Sequence, residues 1–140
     1  MILLSELCDP QVYEQLDKDI QFNLSRLHFV LNFIRVLYDK PMVVNSGFRS
    51  KERHFQIYQK KNNDRISKGL EPMPIPVKSW HLYGAAADIH DPFQMLQKWC
   101  LDHLHILEEL NVYCESFNAT PSWTHLQIYP PKSGRRIFNP

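Results

Sequence analysis

Ser79-Trp80-His81-Leu82-Tyr83-Gly84-Ala85-Ala86-Ala87-Asp88-Ile89-His90 sets the reading of this chain. Its end, Ala86 to His90, reads as a strand, and the small residues before Asp88 let backbone pass close to a site. Downstream, Pro92 begins a helix carrying Phe93, Leu96, Trp99, Cys100, His103, Leu104 and Leu107. Two strands follow, near 111–117 and 123–129, joined by Asn118-Ala119-Thr120-Pro121-Ser122. Pro130-Pro131 ends the second, and Gly134 precedes a short terminal strand, Arg135 to Phe138. Upstream, residues 62–77 are polar and then proline-rich, which reads as a long loop of the functional kind. Ser46-Gly47-Phe48-Arg49-Ser50 turns a short strand, Met42 to Asn45, into a helix over 50–61. Before it, Leu24, Leu27, Val30, Leu31, Ile34 and Leu37 make one apolar stripe of a helix spanning 10–39, with room for a break near Asp19 to Asn23. Asp9-Pro10 starts that helix and Lys40-Pro41 stops it. Helices mixed with antiparallel strands define an α+β class: one domain, residues 1–140, with a small antiparallel sheet flanked by helices.

Composition narrows the function classes. With 44% hydrophobic and 22% charged residues, the chain falls outside the disordered, collagen-like and low-complexity classes. Sixteen basic residues against fifteen acidic ones speak against a dedicated nucleic-acid binder. Cys8, Cys100 and Cys114 are odd in number and far apart, with no CxxC, so reduced thiols are expected rather than a disulfide framework or a cysteine zinc site. Met1-Ile2-Leu3-Leu4 is followed at once by Glu6 and Asp9, too short and acidic for a signal peptide. No run of about 18 apolar residues suggests membrane insertion. The oligomeric state is not written in the sequence.

Water-activating zinc sites take three protein ligands, usually His with Asp or Glu, and leave one position open. No HExxH is present, and the candidate cluster is His81, Asp88 and the distant His125. His90 shares a strand face with Asp88 and offers either a supporting partner or, the simpler reading, a turn into the next helix. His28, His54, His103 and His105 read as surface or half-buried residues.

The order of residues carries more than their types. Residues 79–88 match S-x-H-x-x-G-x-A-x-D in full, Trp123-Thr124-His125 matches a later W-x-H, and residues 46–50 match S-G-[FY]-R-S. Together these resemble the zinc D-alanyl-D-alanine carboxypeptidase and L-alanyl-D-glutamate endopeptidase family, which shares its fold with VanX-type dipeptidases and the hedgehog signalling domain. The compact chain is most similar to phage and prophage versions. The resemblance implies a zinc peptidase acting on the peptidoglycan stem peptide; with no export signal read in the sequence, it is expected to be made in the cytoplasm and to reach the wall only if released or delivered. It implies His81, Asp88 and His125 as ligands of Zn²⁺, with water in the fourth position. It implies Arg49 as the substrate clamp, its rigid two-pronged guanidinium pairing a carboxylate or carbonyl; an ion pair with Glu52 or Asp88 is the alternative. Ser79, Trp80, Tyr83 and Trp123 would line the substrate cleft.

One position departs from that pattern. Many family members carry a catalytic carboxylate three residues before the second His, where this chain has Ser122. Strand parity offers a replacement. Pairing Val112 with Ile128 and Cys114 with Leu126 makes an apolar face. The other face then sets Glu115 opposite His125 and Phe117 opposite Trp123, so Glu115 becomes the candidate general base. A register two residues along would set Tyr113 opposite His125 and keep Glu115 on the same face. A non-catalytic zinc-containing binding domain, or a phage structural domain, is the alternative that Ser122 leaves open.

Overall fold

The computed structural model describes residues 1–140. Three helices open the chain: α1 (Leu4–Leu7), α2 (Pro10–Gln15) and α3 (Lys18–Tyr38). As expected, Asp9 caps α2, its carboxylate accepting from the amides of Gln11 and Val12, with Pro10 in the first turn. The break falls at Leu16 and Asp17, earlier than expected, where both residues take extended ψ values of 152° and 147°. Apolar spacing runs across this point, so periodicity alone does not locate it.

Strand β1 (Val44–Ser46) leads into helix α4 (Lys51–Ser67), capped by the Ser50 hydroxyl. This helix continues well past residue 61 and shortens the expected loop to the stretch after Ser67. The polar residues that read as loop face solvent and hold the returning chain instead. Asn62 exchanges two hydrogen bonds with the backbone of Met73 (2.8 and 2.9 Å), and Arg65 Nε donates to the Glu71 carbonyl at 2.7 Å.

A 3-10 turn (Trp80–Tyr83) precedes β2 (Ala86–His90). The helix expected from Pro92 is two, α5 (Met95–Asp102) and α6 (Leu104–Leu110), broken at His103. Buried Asp91 starts α5 by accepting from the amides of Met95 and Gln97. Strands β3 (Tyr113–Glu115), β4 (Trp123–Gln127) and β5 (Ile137–Phe138) complete one sheet in the order β1-β2-β4-β3-β5.

The sheet is mixed rather than purely antiparallel, because β5 runs parallel to β3. The β3–β4 register is the one the apolar face dictates, with Cys114 opposite Leu126 and Tyr113 opposite Gln127. Ala87, Ile89, Leu126, Ile128, Val112 and Cys114 belong to a core of 19 buried residues, together with Leu24, Leu27, Leu31 and Ile34 of α3 and Leu96, Cys100 and Leu107 of α5 and α6. Side chains alternate across a strand, so Asp88, Glu115, His125 and Gln127 fall on the opposite face. All three cysteines are free and buried. No helix is long and apolar enough to cross a membrane.

Candidate metal centre

Three elements bring the cluster together. Asp88 on β2 is the direct cross-strand partner of His125 on β4, and the turn ahead of β2 swings His81 over the same point. One ligand atom from each residue lies within 4.8 Å of the others. His125 Nδ1 is 2.8 Å from Asp88 Oδ1, and His81 Nε2 is 3.3 Å from that same oxygen.

The surrounding hydrogen bonds fix both imidazole tautomers. His81 Nδ1 lies 2.7 Å from the Gly47 carbonyl, which can only accept, so Nδ1 carries the proton and Nε2 presents a lone pair. Gln127 Nε2 donates to the Tyr129 carbonyl at 2.7 Å, so its Oε1 faces His125 Nε2 at 3.1 Å and accepts from it. His125 Nδ1 is therefore the free nitrogen. Two neutral nitrogens and one carboxylate oxygen converge on one buried point, an arrangement that requires a positive charge among them. A proton on His125 supplies it in the metal-free protein, and a divalent metal ion fits the same nitrogen and oxygen donors.

Electrostatics follow from this packing. Burial pushes the Asp88 carboxyl up, but hydrogen bonds from His125 and His81 and their charges outweigh it and hold Asp88 well below the usual carboxylate range. Burial lowers His81, against the pull of Asp88. Burial also opposes charge on His125, yet the hydrogen bond and charge of Asp88 raise it overall. Burial raises Glu115, opposed by His125 and reinforced by Asp88.

Glu115 reaches the cluster as the register predicts, its Oε2 standing 4.0 Å from His125 Nδ1. Ser122 is exposed just before β4 and lines no part of the cleft. Arg49 makes the Asp88 ion pair that stood as its alternative role: Nη2 meets Asp88 Oδ2 at 2.7 Å and Nε donates to Ser46 Oγ at 2.8 Å. It still lines the cleft, and its Nη1 has no protein partner.

The cluster sits in a cleft of about 440 Å³ that Arg49, Ser79, Trp80, Glu115 and Trp123 border. Trp80 is held by stacking on Tyr129 with centroids 4.7 Å apart. Tyr83, expected at the cleft, does not line it. Its half-exposed ring meets Trp80 edge-on, and its carbonyl accepts from Asn23 Nδ2. The remaining histidines stay outside the cluster. His90 is exposed, while His28, His54 and His103 spend a ring nitrogen on the carbonyls of Ile2, Pro76 and Trp99.

Sequence reasoning missed Gln127, Tyr58, Lys61 and Lys78, which also border the cleft. Gln127 had a findable signal, since it lies two residues beyond His125 on the same strand face. The fold and site define an α+β domain with a His-Asp-His group in a cleft that could hold a metal ion. Compared with family models, curated proteins and solved structures, the chain matches none.

Proposed function

We propose that this protein is a zinc peptidase that cleaves peptidoglycan stem peptides, as carboxypeptidase or endopeptidase. The observation that carries the reading is the convergence of His81 Nε2, His125 Nδ1 and an Asp88 oxygen at the base of a cleft, with Glu115 beside them. The motifs in residues 46–50, 79–88 and 123–125 support it by resemblance. A zinc ion in this site supplies Lewis acidity and makes water a nucleophile at neutral pH.

The chain's own residues do the rest. Glu115 Oε2 takes the proton of the attacking water and returns it to the leaving amine, a role its raised pKa suits. Arg49 steadies Asp88 with Nη2 and offers Nη1 to a substrate carbonyl or carboxylate. Trp80 and Trp123 wall the cleft against the peptide, with Ser79 beside them.

The test is metal content together with cleavage. Purified protein should hold about one zinc per chain and release new amines from stem peptides. His81→Ala and His125→Ala should lose both properties. A wild-type protein without zinc overturns the metal reading. The serine at position 122 favours a second reading, a zinc-containing binding domain without catalysis, and zinc retained with no cleavage of any stem peptide selects it.

A further inference from the structure

The cleft carries positive charge that the proposed chemistry does not use. Among the side chains lining it, Arg49, Lys61 and Lys78 are cationic, while Asp88 and Glu115 are the carboxylates. Asp88 is already held by Arg49 and both histidines. Lys61 and Lys78 form no ion pair with any acid of the chain.

Their placement follows from α4 and the segment after it. His54, Tyr58 and Lys61 recur at i, i+4 and i+7, so they share one face of α4. The His54 ring, buried beside Tyr58 with centroids 4.9 Å apart, bonds the Pro76 carbonyl at 2.7 Å. That bond ties the chain leading to Lys78 against the same helix. Lys61 is set over the Tyr58 ring, Nζ 5.0 Å from its centroid, which orients the ammonium without neutralising it. Lys61 borders the same cleft as Glu115, with no ion pair between them.

We propose that Lys61 and Lys78 form an anion subsite on the α4 wall of the cleft, which takes a carboxylate flanking the bond to be cut and makes the protein select acidic peptides. The inference rests on the peptidase reading for which bond is cut; the subsite itself is a matter of binding. Two exposed ammonium groups around one carboxylate are worth at most about tenfold in affinity at low salt, less as salt screens them.

The test uses the full zinc-loaded chain carrying Glu115→Gln, so that peptide survives. The probes are L-Ala-γ-D-Glu-L-Lys and the same peptide with its glutamate α-carboxylate amidated, read by quenching of Trp80 and Trp123 fluorescence. The free acid should bind up to about tenfold tighter than the amide, and added salt should shrink the gap. Lys61→Met with Lys78→Met should bring the two affinities within about twofold while leaving amide binding and zinc content unchanged. Equal affinities in the parent, a preference that survives in the double variant, or no saturable quenching by either peptide overturns the proposal. The peptidase reading fails separately: a lysine-dependent preference for the acid, with no cleavage of these peptides or of a full stem pentapeptide ending in D-Ala-D-Ala when Glu115 is restored, keeps the subsite and removes the enzyme.

Discussion

Gln127 decides which nitrogen His125 can offer. Its amide is locked by the Tyr129 carbonyl, so its oxygen must face the ring, and the ring must place its proton there. Gln127→Leu keeps the volume but removes the acceptor, and His125 loses both tautomer and orientation. Metal affinity should fall about 10–100-fold, measured by competition with a chromophoric chelator, the usual scale for a partner behind a metal-ligating His. An unchanged affinity would mean that packing alone orients the ring. The three residues of the cluster were legible because His and Asp belong to a recognisable order of residues. Glutamine carries no ligand signature, and strand parity from His125 was the one signal that could have found it. Glu115 was legible by the same parity, and it makes a second prediction. Its carboxyl is raised above the ordinary 4.5 by burial. The folded metal-free protein therefore holds that proton more tightly than the unfolded chain does, and the stabilisation is full in acid and lost as pH rises through the folded value. At pH 7 the carboxylate is a net cost. Glu115→Gln should thus melt a few degrees higher than wild type at pH 7, with the difference closing below about pH 4. With zinc bound, the same variant should lose about 10²–10⁴-fold in turnover. A variant less stable at pH 7 contradicts the burial argument, and one that keeps its turnover removes Glu115 as the base.

At the scale of elements, the connection from β1 to α4 shows why a short motif can carry so much. A side chain at Gly47 would run into the backbone of Leu7, whose Cα lies 2.7 Å from the Cβ position. The Leu7 carbonyl also receives the Phe48 amide at 2.7 Å, so α1 and the end of β1 are butted together through glycine. The same residue's carbonyl holds His81, and the Arg49 amide bonds the His81 carbonyl at 3.0 Å. Gly47→Ala should cost about 1–3 kcal/mol of folding stability, because backbone rather than a flexible side chain must give way. It should also weaken metal binding, since the displaced carbonyl is the one that fixes His81. Denaturant unfolding and the same chelator competition check both; lost stability with unchanged metal affinity would separate the turn from the site. Gly84 answers to a different constraint, a φ of +66° with Leu24 against its open side. The strands were legible where one face had to be apolar, which fixed the β3–β4 pairing. Helix ends were less so. Nothing in the apolar spacing marks Leu16 or His103 as breaks, and the polar run after residue 61 reads as loop until its contacts to Met73 and Glu71 are known. The two-residue β5 offers no pattern from which parallel pairing with β3 could be read.

For the molecule as a whole, the sheet separates stability from chemistry. The sheet residues of the core lie on one side, and the His81-Asp88-His125 group with its cleft lies on the other. A metal ion is then a ligand of a folded protein, unlike the small zinc domains that unfold without it. Binding to the native state alone stabilises by mass action, about 2.7 kcal/mol at a free ion concentration a hundred times the Kd. For a chain of this length that corresponds to a rise in Tm of about 10 °C. Chelator treatment should therefore lower the melting temperature by about that much while leaving a cooperative transition and unchanged far-ultraviolet dichroism. Zinc should restore it, and His81→Ala should melt at the lower temperature with or without metal. The shift must also depend on pH, with a sign fixed by His125. Asp88 raises that ring above the ordinary 6.5, so in the metal-free protein a proton occupies Nδ1 until pH climbs past the raised value. Metal has to displace it, and affinity weakens as pH falls through that range. The metal-induced rise in Tm should accordingly grow as pH rises from 6 through the raised value of His125, a range where the ordinary loss of a carboxylate does not operate. A shift that stays constant across that range would show that His125 offers no nitrogen to the ion. Loss of the folded state on chelation would instead mean that the far side of the sheet cannot hold the chain by itself.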